Sequence, residues 1–413
     1  MPTVAYYTLG CKVNHYETEK IREKLEESGF STVSFAAPAD VYIINSCTVT
    51  GTADAKSRRA IRQAIRHNPK AFVIATGCYA ELEPVQVAEI EGVDLVVGNG
   101  EKDSIPERLI ARFPGLIGDG HAVRPRVRTR AVVKVQDGCS QFCAYCAVPY
   151  ARSREWSRSI PDVLSELSAL AGFGYKEVVL AGIRLGSYKP GLAKLIRAAA
   201  EIDGIERIRL SSIEVWEIDD EILSVLSESP KVCRHLHVPL QSGDGGVLKG
   251  MHRPYTPEEY AGTVRKAREA VPELGLTTDV MVGFPGESED ASERSFEFVR
   301  QMGFTRLHVF RYSPRKGTEA AKMPGQVPES EKTRRSEKMI GLGTLQARQF
   351  AERLLNRTIN VLVEAKRPEV LTGLTDNYVE VRFTGSERLR GKIVPVRIDR
   401  VSEDGTAIGE MQR

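Results

Sequence analysis

Gly138-Cys139-Ser-Gln-Phe-Cys143-Ala-Tyr-Cys146 is the stretch on which the reading of this chain turns. Three thiols spaced C-x3-C-x2-C follow directly on a short apolar run, Val132–Gln136, that predicts a strand. Three thiolates on one tight loop can hold three irons of a [4Fe–4S] cluster, and the fourth iron is left for a non-protein ligand. A structural zinc site closes with four protein ligands, and no fourth Cys or His lies nearby in the sequence. Spacing and position together favour the cluster over zinc or over idle reduced thiols.

Around this loop the pattern is alternating strand and helix. Downstream, strands are predicted at Glu177–Leu180, Arg207–Ser211, Leu236–Leu240, Thr278–Val282 and Arg306–Phe310, separated by amphipathic helices such as Pro161–Gly172 and Ser288–Met302. With Val132–Gln136 they make six βα units, an open or partial (β/α)6 barrel of TIM type whose chemistry sits at the C-terminal strand ends. Upstream, Val4–Leu9, Val41–Asn45, Phe72–Thr76 and Leu95–Val97 alternate with the helical stretches Tyr16–Gly29 and Ala53–His67. That rhythm predicts a parallel, flavodoxin-like sheet. Cys11, Cys47 and Cys78 each fall just after one of its strands, about one βαβ unit apart (~30 residues). Three distant cysteines should therefore converge at one sheet edge. Downstream of the central barrel, a long charged helix near Glu329–Leu355 precedes short strands at Thr358–Glu364, Tyr378–Phe383 and Lys392–Val401, which suggest a small OB-like barrel. The expected domains are 1–112, a Pro- and Gly-containing linker at 113–130, a central barrel at 131–347 and the small barrel at 348–413. The fold class is α/β.

Composition narrows the function classes. The chain has 413 residues, is 41% hydrophobic and 27% charged, and carries a net charge of +3, as a globular protein of several domains does. Its longest run free of charged residues, Gly138–Ala151, is too short and too polar to span a bilayer. The first residues show neither a basic stretch nor a long apolar one, so a cytoplasmic location is expected, where thiols stay reduced. Seven cysteines in that setting point to metal ligands rather than disulfides. Nucleic-acid binding must be sought in local patches. Lys56, Arg58, Arg59, Arg62, Arg66 and Lys70 occur with no acid between Asp54 and Glu81, and Arg58, Arg62 and Arg66 share one helix face. Arg124, Arg126, Arg128, Arg130 and Lys134 form a second such stretch. Either patch alone can also be a solvated face.

The joint motifs LGCKVNHYE (9–17), INSCTVT (44–50), TGCYAE (76–81), QDGCSQFCAYCAVPYARSR (136–154), TDVMVGFPGE (278–287) and TGLTDNYVEV (372–381) resemble the radical S-adenosylmethionine (SAM) methylthiotransferase family over nearly the whole chain. CKVNHYE resembles the branch that acts on N6-threonylcarbamoyladenosine at position 37 of tRNA. The alternatives are the branches acting on isopentenyladenosine in tRNA or on a ribosomal-protein aspartate. The resemblance implies that Cys139, Cys143 and Cys146 hold the cluster that binds SAM. Reductive cleavage of SAM would yield a deoxyadenosyl radical that takes hydrogen from C2 of the adenine, a C–H with no useful acidity for a side-chain base. It implies a second [4Fe–4S] cluster on Cys11, Cys47 and Cys78 as the source of the methylthio group, an electron donor such as a flavodoxin or ferredoxin, a sulfur source, and an anticodon stem-loop as substrate. It also implies that the terminal barrel is an RNA-binding TRAM-like module.

For SAM itself, Tyr145, Gly182, Ser212, Glu214, Gln241 and Gly283 are candidate contacts by position. Each taken singly could equally be a turn or strand-cap residue. Arg152 and Arg154 are candidates for substrate phosphate or the threonylcarbamoyl carboxylate. Lys366, Arg367 and Arg382 are candidates in the terminal barrel, which is only weakly basic. Cys233 lies outside every motif and reads as a structural thiol. Rival readings are a non-enzymatic iron–sulfur or zinc RNA-binding protein, and a radical SAM enzyme whose N-terminal cysteines only relay electrons.

Overall fold

A computed structural model describes residues 1–114, 128–367 and 370–412. The chain forms two compact units, one of Met1–Pro125, Asp137–Glu155 and Ser313–Ala321, the other of Arg126–Gln136, Trp156–Tyr312 and Lys322–Arg413. The loop carrying Cys139, Cys143 and Cys146, expected with the central barrel, packs with the N-terminal sheet. Of the connector expected at 113–130, residues 115–127 lie outside the described residues.

In the first unit, five strands pair in parallel in the order Ser31–Val33, Thr3–Thr8, Val41–Ser46, Phe72–Gly77, Leu95–Val97. The central strand VYIINS is buried throughout. Its Tyr42 and Ile44 join Ala60, Ile61 and Ala64 on one face, and Val41 and Ile43 join Ile21, Leu25, Ile105 and Leu109 on the other. A strand covered on both faces must be apolar at every inward position, which is why it reads as a continuous run. The order is the flavodoxin-like one. Chain direction across the sheet reverses between Thr3–Thr8 and Val41–Ser46, and such a switch point opens a crevice at the strands' carboxyl ends. The three-residue strand Ser31–Val33 is an addition to the strands expected from the sequence.

In the second unit, Ala131–Lys134, Glu177–Ala181 and Arg207–Leu210 pair in sequence, as do His235–His237, Gly275–Val282 and Arg306–Arg311, all in parallel. Isolated bridges Ile208↔Val232 and Ser212↔His237 stitch the two halves together. The result is the expected six-stranded βα arrangement around one apolar core. Helix Glu329–Glu352 leads into a closed five-stranded barrel that includes two further strands beyond those expected, Val370–Thr375 and Ala407–Met411.

Buried charge joins this barrel to the sheet beside it. Arg207 donates to the Leu374 and Asn360 carbonyls at 3.0 and 2.7 Å, and Arg209 to those of Asp376 and Thr375 at 2.9 and 3.1 Å. Glu177 balances Arg209 at 2.7 Å, and its carboxyl lies below the ordinary range because Arg209 and its neighbours outweigh the cost of burial. Tyr378 stacks on His235 with ring centroids 4.3 Å apart. Cys233, fully buried beside Arg209, is pushed up to about 12 by desolvation, as suits a structural thiol.

Candidate metal centres

Each cysteine of the N-terminal trio leaves the carboxyl end of a strand at or next to the switch point. Cys11 is the N-cap of helix Lys12–Glu27, Cys47 follows Val41–Ser46, and Cys78 opens the short helix after Phe72–Gly77. Gly77 has φ +94°, and a Cβ there would collide with the Ser46 backbone beside Cys47. A Cβ on Gly10 would lie 2.9 Å from Cys47 Sγ. Asn14 binds the loops together, its Nδ2 donating to the carbonyls of Leu9 (2.8 Å) and Ser46 (3.0 Å). Alanine at Gly77 must occupy a left-handed conformation (~1–2 kcal/mol) and overlap backbone. Gly77→Ala is therefore expected to cost about 2 kcal/mol or more, read as a lowered denaturation midpoint; an unchanged midpoint would contradict this packing.

The three thiols act on one another electrostatically. Cys47 is pushed up to about 11, mainly by burial and further by Cys78 and Cys11. Cys11 is solvent-exposed yet crowded by protein; desolvation raises it, and Arg152 opposes that shift. Asn99 approaches Cys78 Sγ at 3.6 Å and also donates to the Ala151 carbonyl at 2.8 Å, so Cys78 lies beside the segment that follows Cys146. On the second loop, the amides of Gln141 and Val148 point at Cys139 Sγ and Cys146 Sγ, each at 3.4 Å. N–H donors of this kind stabilise thiolate ligands. Among the described residues no three His, Cys, Asp or Glu side chains are gathered as for a single metal ion. Thiolates that each bind a different iron of a cubane stand further apart than the ligands of one ion. A soft, all-thiol donor set with N–H donors onto sulfur fits an iron–sulfur group.

Other candidates fare differently. Arg152 does not reach outward. It is buried, and its guanidinium bonds Glu17, Asp137 and Asn14 at 2.7–2.9 Å. This corrects its assignment to substrate; Arg154 is exposed. Arg62 and Arg66 are exposed on helix Gly51–His67, while Arg58 is half-buried and donates to Tyr79 Oη at 3.0 Å. In the second basic stretch Arg130 pairs with Glu364 at 2.6 Å and Lys134 lies over Trp156, while Arg124 and Arg126 lie outside the described residues. Arg382 is held by Glu380 and Asp404 at 3.3 and 3.5 Å. The side chains of Lys366 and Arg367 lie outside what the structure describes.

Tyr145 is half-buried on the cysteine loop. Among the strand-end candidates of the second unit, Gly182 ends Glu177–Ala181 and is half-buried, as is Ser212. Gln241 holds φ +67°, a strained backbone for a side-chain-bearing residue. Glu214 is ion-paired with the buried Arg253, which packs on Trp216. The Gly283 amide donates to Glu287 at 2.6 Å, and the place of a Cβ there is filled by the Lys332 stem. Sequence reasoning missed Asn14, Glu17, Asn99, Lys102 and Asp137, although Asn14 and Glu17 lie inside the quoted CKVNHYE stretch.

Comparison with known proteins decides the family. Residues 3–98 match the family described as uncharacterized protein family UPF0004, and residues 133–299 match the radical SAM superfamily. The chain is 42% identical to the threonylcarbamoyladenosine tRNA methylthiotransferase MtaB of Bacillus subtilis, over 96% of this chain and 94% of that one. It is 38% identical to the protein of the same name from Aquifex aeolicus, over 96% and 100%. The chain belongs to the radical SAM methylthiotransferase family. It is 35% identical to the tRNA-2-methylthio-N(6)-dimethylallyladenosine synthase of Carboxydothermus hydrogenoformans, over 96% and 97%. Among solved structures, the radical SAM methyltransferase TsrM of Kitasatospora setae shares the fold at TM-score 0.58 and 17% identity, over 78% of this chain and 77% of that one. Membership makes this methylthiotransferase an enzyme that uses SAM and a [4Fe–4S] cluster. No helix among the described residues is long and apolar enough to cross a membrane.

Proposed function

We propose that this methylthiotransferase adds a methylthio group to C2 of N6-threonylcarbamoyladenosine at position 37 of tRNA. The observation that carries the reading is the meeting, at one switch point, of Cys11, Cys47 and Cys78 beside the loop of Cys139, Cys143 and Cys146. The relatives support the substrate, since those named for threonylcarbamoyladenosine are 36–42% identical over nearly the full length. Cys139, Cys143 and Cys146 hold one [4Fe–4S] cluster; Cys11, Cys47 and Cys78 hold a second. When bound, these groups supply reductive cleavage of SAM and the sulfur to be transferred. The chain's own residues fix the thiols in place: Gly77 and Asn14 lock the loops, and the Gln141 and Val148 amides orient the sulfurs. Tyr145, Gly182, Ser212 and Gln241 remain candidates for SAM contact, and the domains 1–112, 131–347 and 348–413 are read as cluster, radical SAM and TRAM-like modules. An electron donor and a sulfur source complete the reaction, and the cytoplasm is its setting in this reading.

The experiment supplies anaerobically reconstituted enzyme with SAM, a reductant and either of two tRNAs, one bearing threonylcarbamoyladenosine and one isopentenyladenosine, with nucleosides read by mass spectrometry. One SCH3 in place of H on the first substrate is expected. Product on the second alone would move this chain to the branch of its 33–35% identical relatives.

Exposed Arg62 and Arg66 are the best-placed phosphate contacts. Arg62→Glu/Arg66→Glu is expected to weaken tRNA binding whatever the sequence and to flatten the salt dependence by about 1 unit of log–log slope per lost contact. Filter binding over a salt series checks this; an unchanged slope removes the helix from the RNA surface.

A further inference from the structure

Arg152 donates through Nη1 to both carboxylate oxygens of Asp137 (2.7 and 2.8 Å) and to Glu17 (2.9 Å), and through Nη2 to Glu17 and Asn14 (each 2.8 Å). Glu17 also takes the buried Lys102 at 2.5 Å. Two cations and two carboxylates thus balance one another deep inside the first unit. They tie the segment after Cys146 to the helix after Cys11, across 135 residues of sequence. A guanidinium has five N–H donors. The one on Nε is buried and has no hydrogen-bond partner among the described residues, on a side chain only 2% exposed. The charge of this same guanidinium acts on both Cys11 and Cys78. The buried Nε donors of Arg22, Arg315 and Arg335 also lack a partner among the described residues. What sets Arg152 apart is that its Nη2 shares the Asn14 amide oxygen with Cys11 Sγ, which lies 4.0 Å from that oxygen. This guanidinium therefore sits near a candidate ligand thiol, and its unmet donor marks a place for an acceptor.

We propose that Arg152 is a positioning residue for the group held by Cys11, Cys47 and Cys78, its unused N–H donating to a thiolate or sulfide of that group while its other donors hold the two cysteine loops together. The proposal rests on the reading that these cysteines carry a second cluster. A donor and positive charge beside a cluster stabilise its more negative, reduced form and so raise its reduction potential. Lysine keeps the charge but cannot span Asp137, Glu17 and Asn14 as a planar fork does.

The test uses the full-length chain with Cys139, Cys143 and Cys146 changed to Ala, so that all iron and all spectroscopic signal come from the second site. Iron content of this parent tests the underlying reading by itself, since no iron there means no second cluster. Given a loaded parent, Arg152→Gln is added and midpoint potential and EPR spectrum are measured, with Arg152→Lys alongside. The expected result is a more negative potential and altered g values in Arg152→Gln, and a smaller shift in Arg152→Lys. Loss of iron from Arg152→Gln with an unchanged unfolding temperature would equally support the assignment. Potential and spectrum identical to the parent would overturn it. So would collapse of the fold in both variants, which would leave Arg152 a purely structural residue.

Discussion

Changing Cys143 to Ala is expected to reduce formation of 5′-deoxyadenosine from SAM to background. Cys143 is the central thiol of the C-x3-C-x2-C loop and is buried, and its amide hydrogen-bonds the Gln141 carbonyl at 2.9 Å within the tight turn. With only two thiolates left, the loop cannot hold three irons, and the site that receives SAM is lost with them. The fold should survive. A buried cysteine packs as a small hydrophobe, and its replacement by alanine removes one sulfur's contacts, about 1 kcal/mol. The measurement is deoxyadenosine by liquid chromatography after anaerobic turnover, together with circular dichroism of the variant. Deoxyadenosine persisting at wild-type rate would refute the assignment of this loop to SAM chemistry.

Cys47→Ala should separate the two halves of the reaction. Cys47 leaves the fully buried central strand, and its sulfur lies where a Cβ on Gly10 would touch it, so it stands at the middle of the N-terminal trio. Its loss removes one ligand of the proposed second cluster without altering the other loop's cysteines. SAM cleavage is therefore expected to continue while methylthiolated nucleoside falls below detection, a change in product at least as large as the assay's range. Normal methylthio product from Cys47→Ala would contradict the role of the N-terminal cysteines. Loss of both activities together would mean that this trio is needed to deliver electrons to the other loop.

Much of this is legible in the sequence because periodicity and strand ends are local signals. VYIINS reads as a doubly covered strand, and that alone places Cys47, just beyond it, at the sheet's carboxyl edge. The six central strands are legible for the same reason. Ser31–Val33 is too short to show a pattern, and Val370–Thr375 carries a glycine in its middle that reads as a turn, yet a Cβ there would collide with the Leu362 carbonyl of the neighbouring strand. Sequence shows the charge of Arg152 but not its partners, since Asn14 and Glu17 come from more than a hundred residues away. An arginine among cysteines suggests a substrate contact until its burial is known. At Gly283 the local pattern shows a turn but not the Lys332 stem, from a helix distant in sequence, that occupies the place of a Cβ there.

The account stands on two cysteine trios, each holding its own cluster, and iron and acid-labile sulfide counts test this most directly. The wild type, a variant with Cys139, Cys143 and Cys146 changed to Ala, and one with Cys11, Cys47 and Cys78 changed to Ala would be reconstituted side by side. The prediction is that each variant carries half the iron and sulfide of the wild type, with distinct EPR signatures that sum to the wild-type spectrum. A Cys11/Cys47/Cys78 variant that retained the full wild-type iron and sulfide would contradict it.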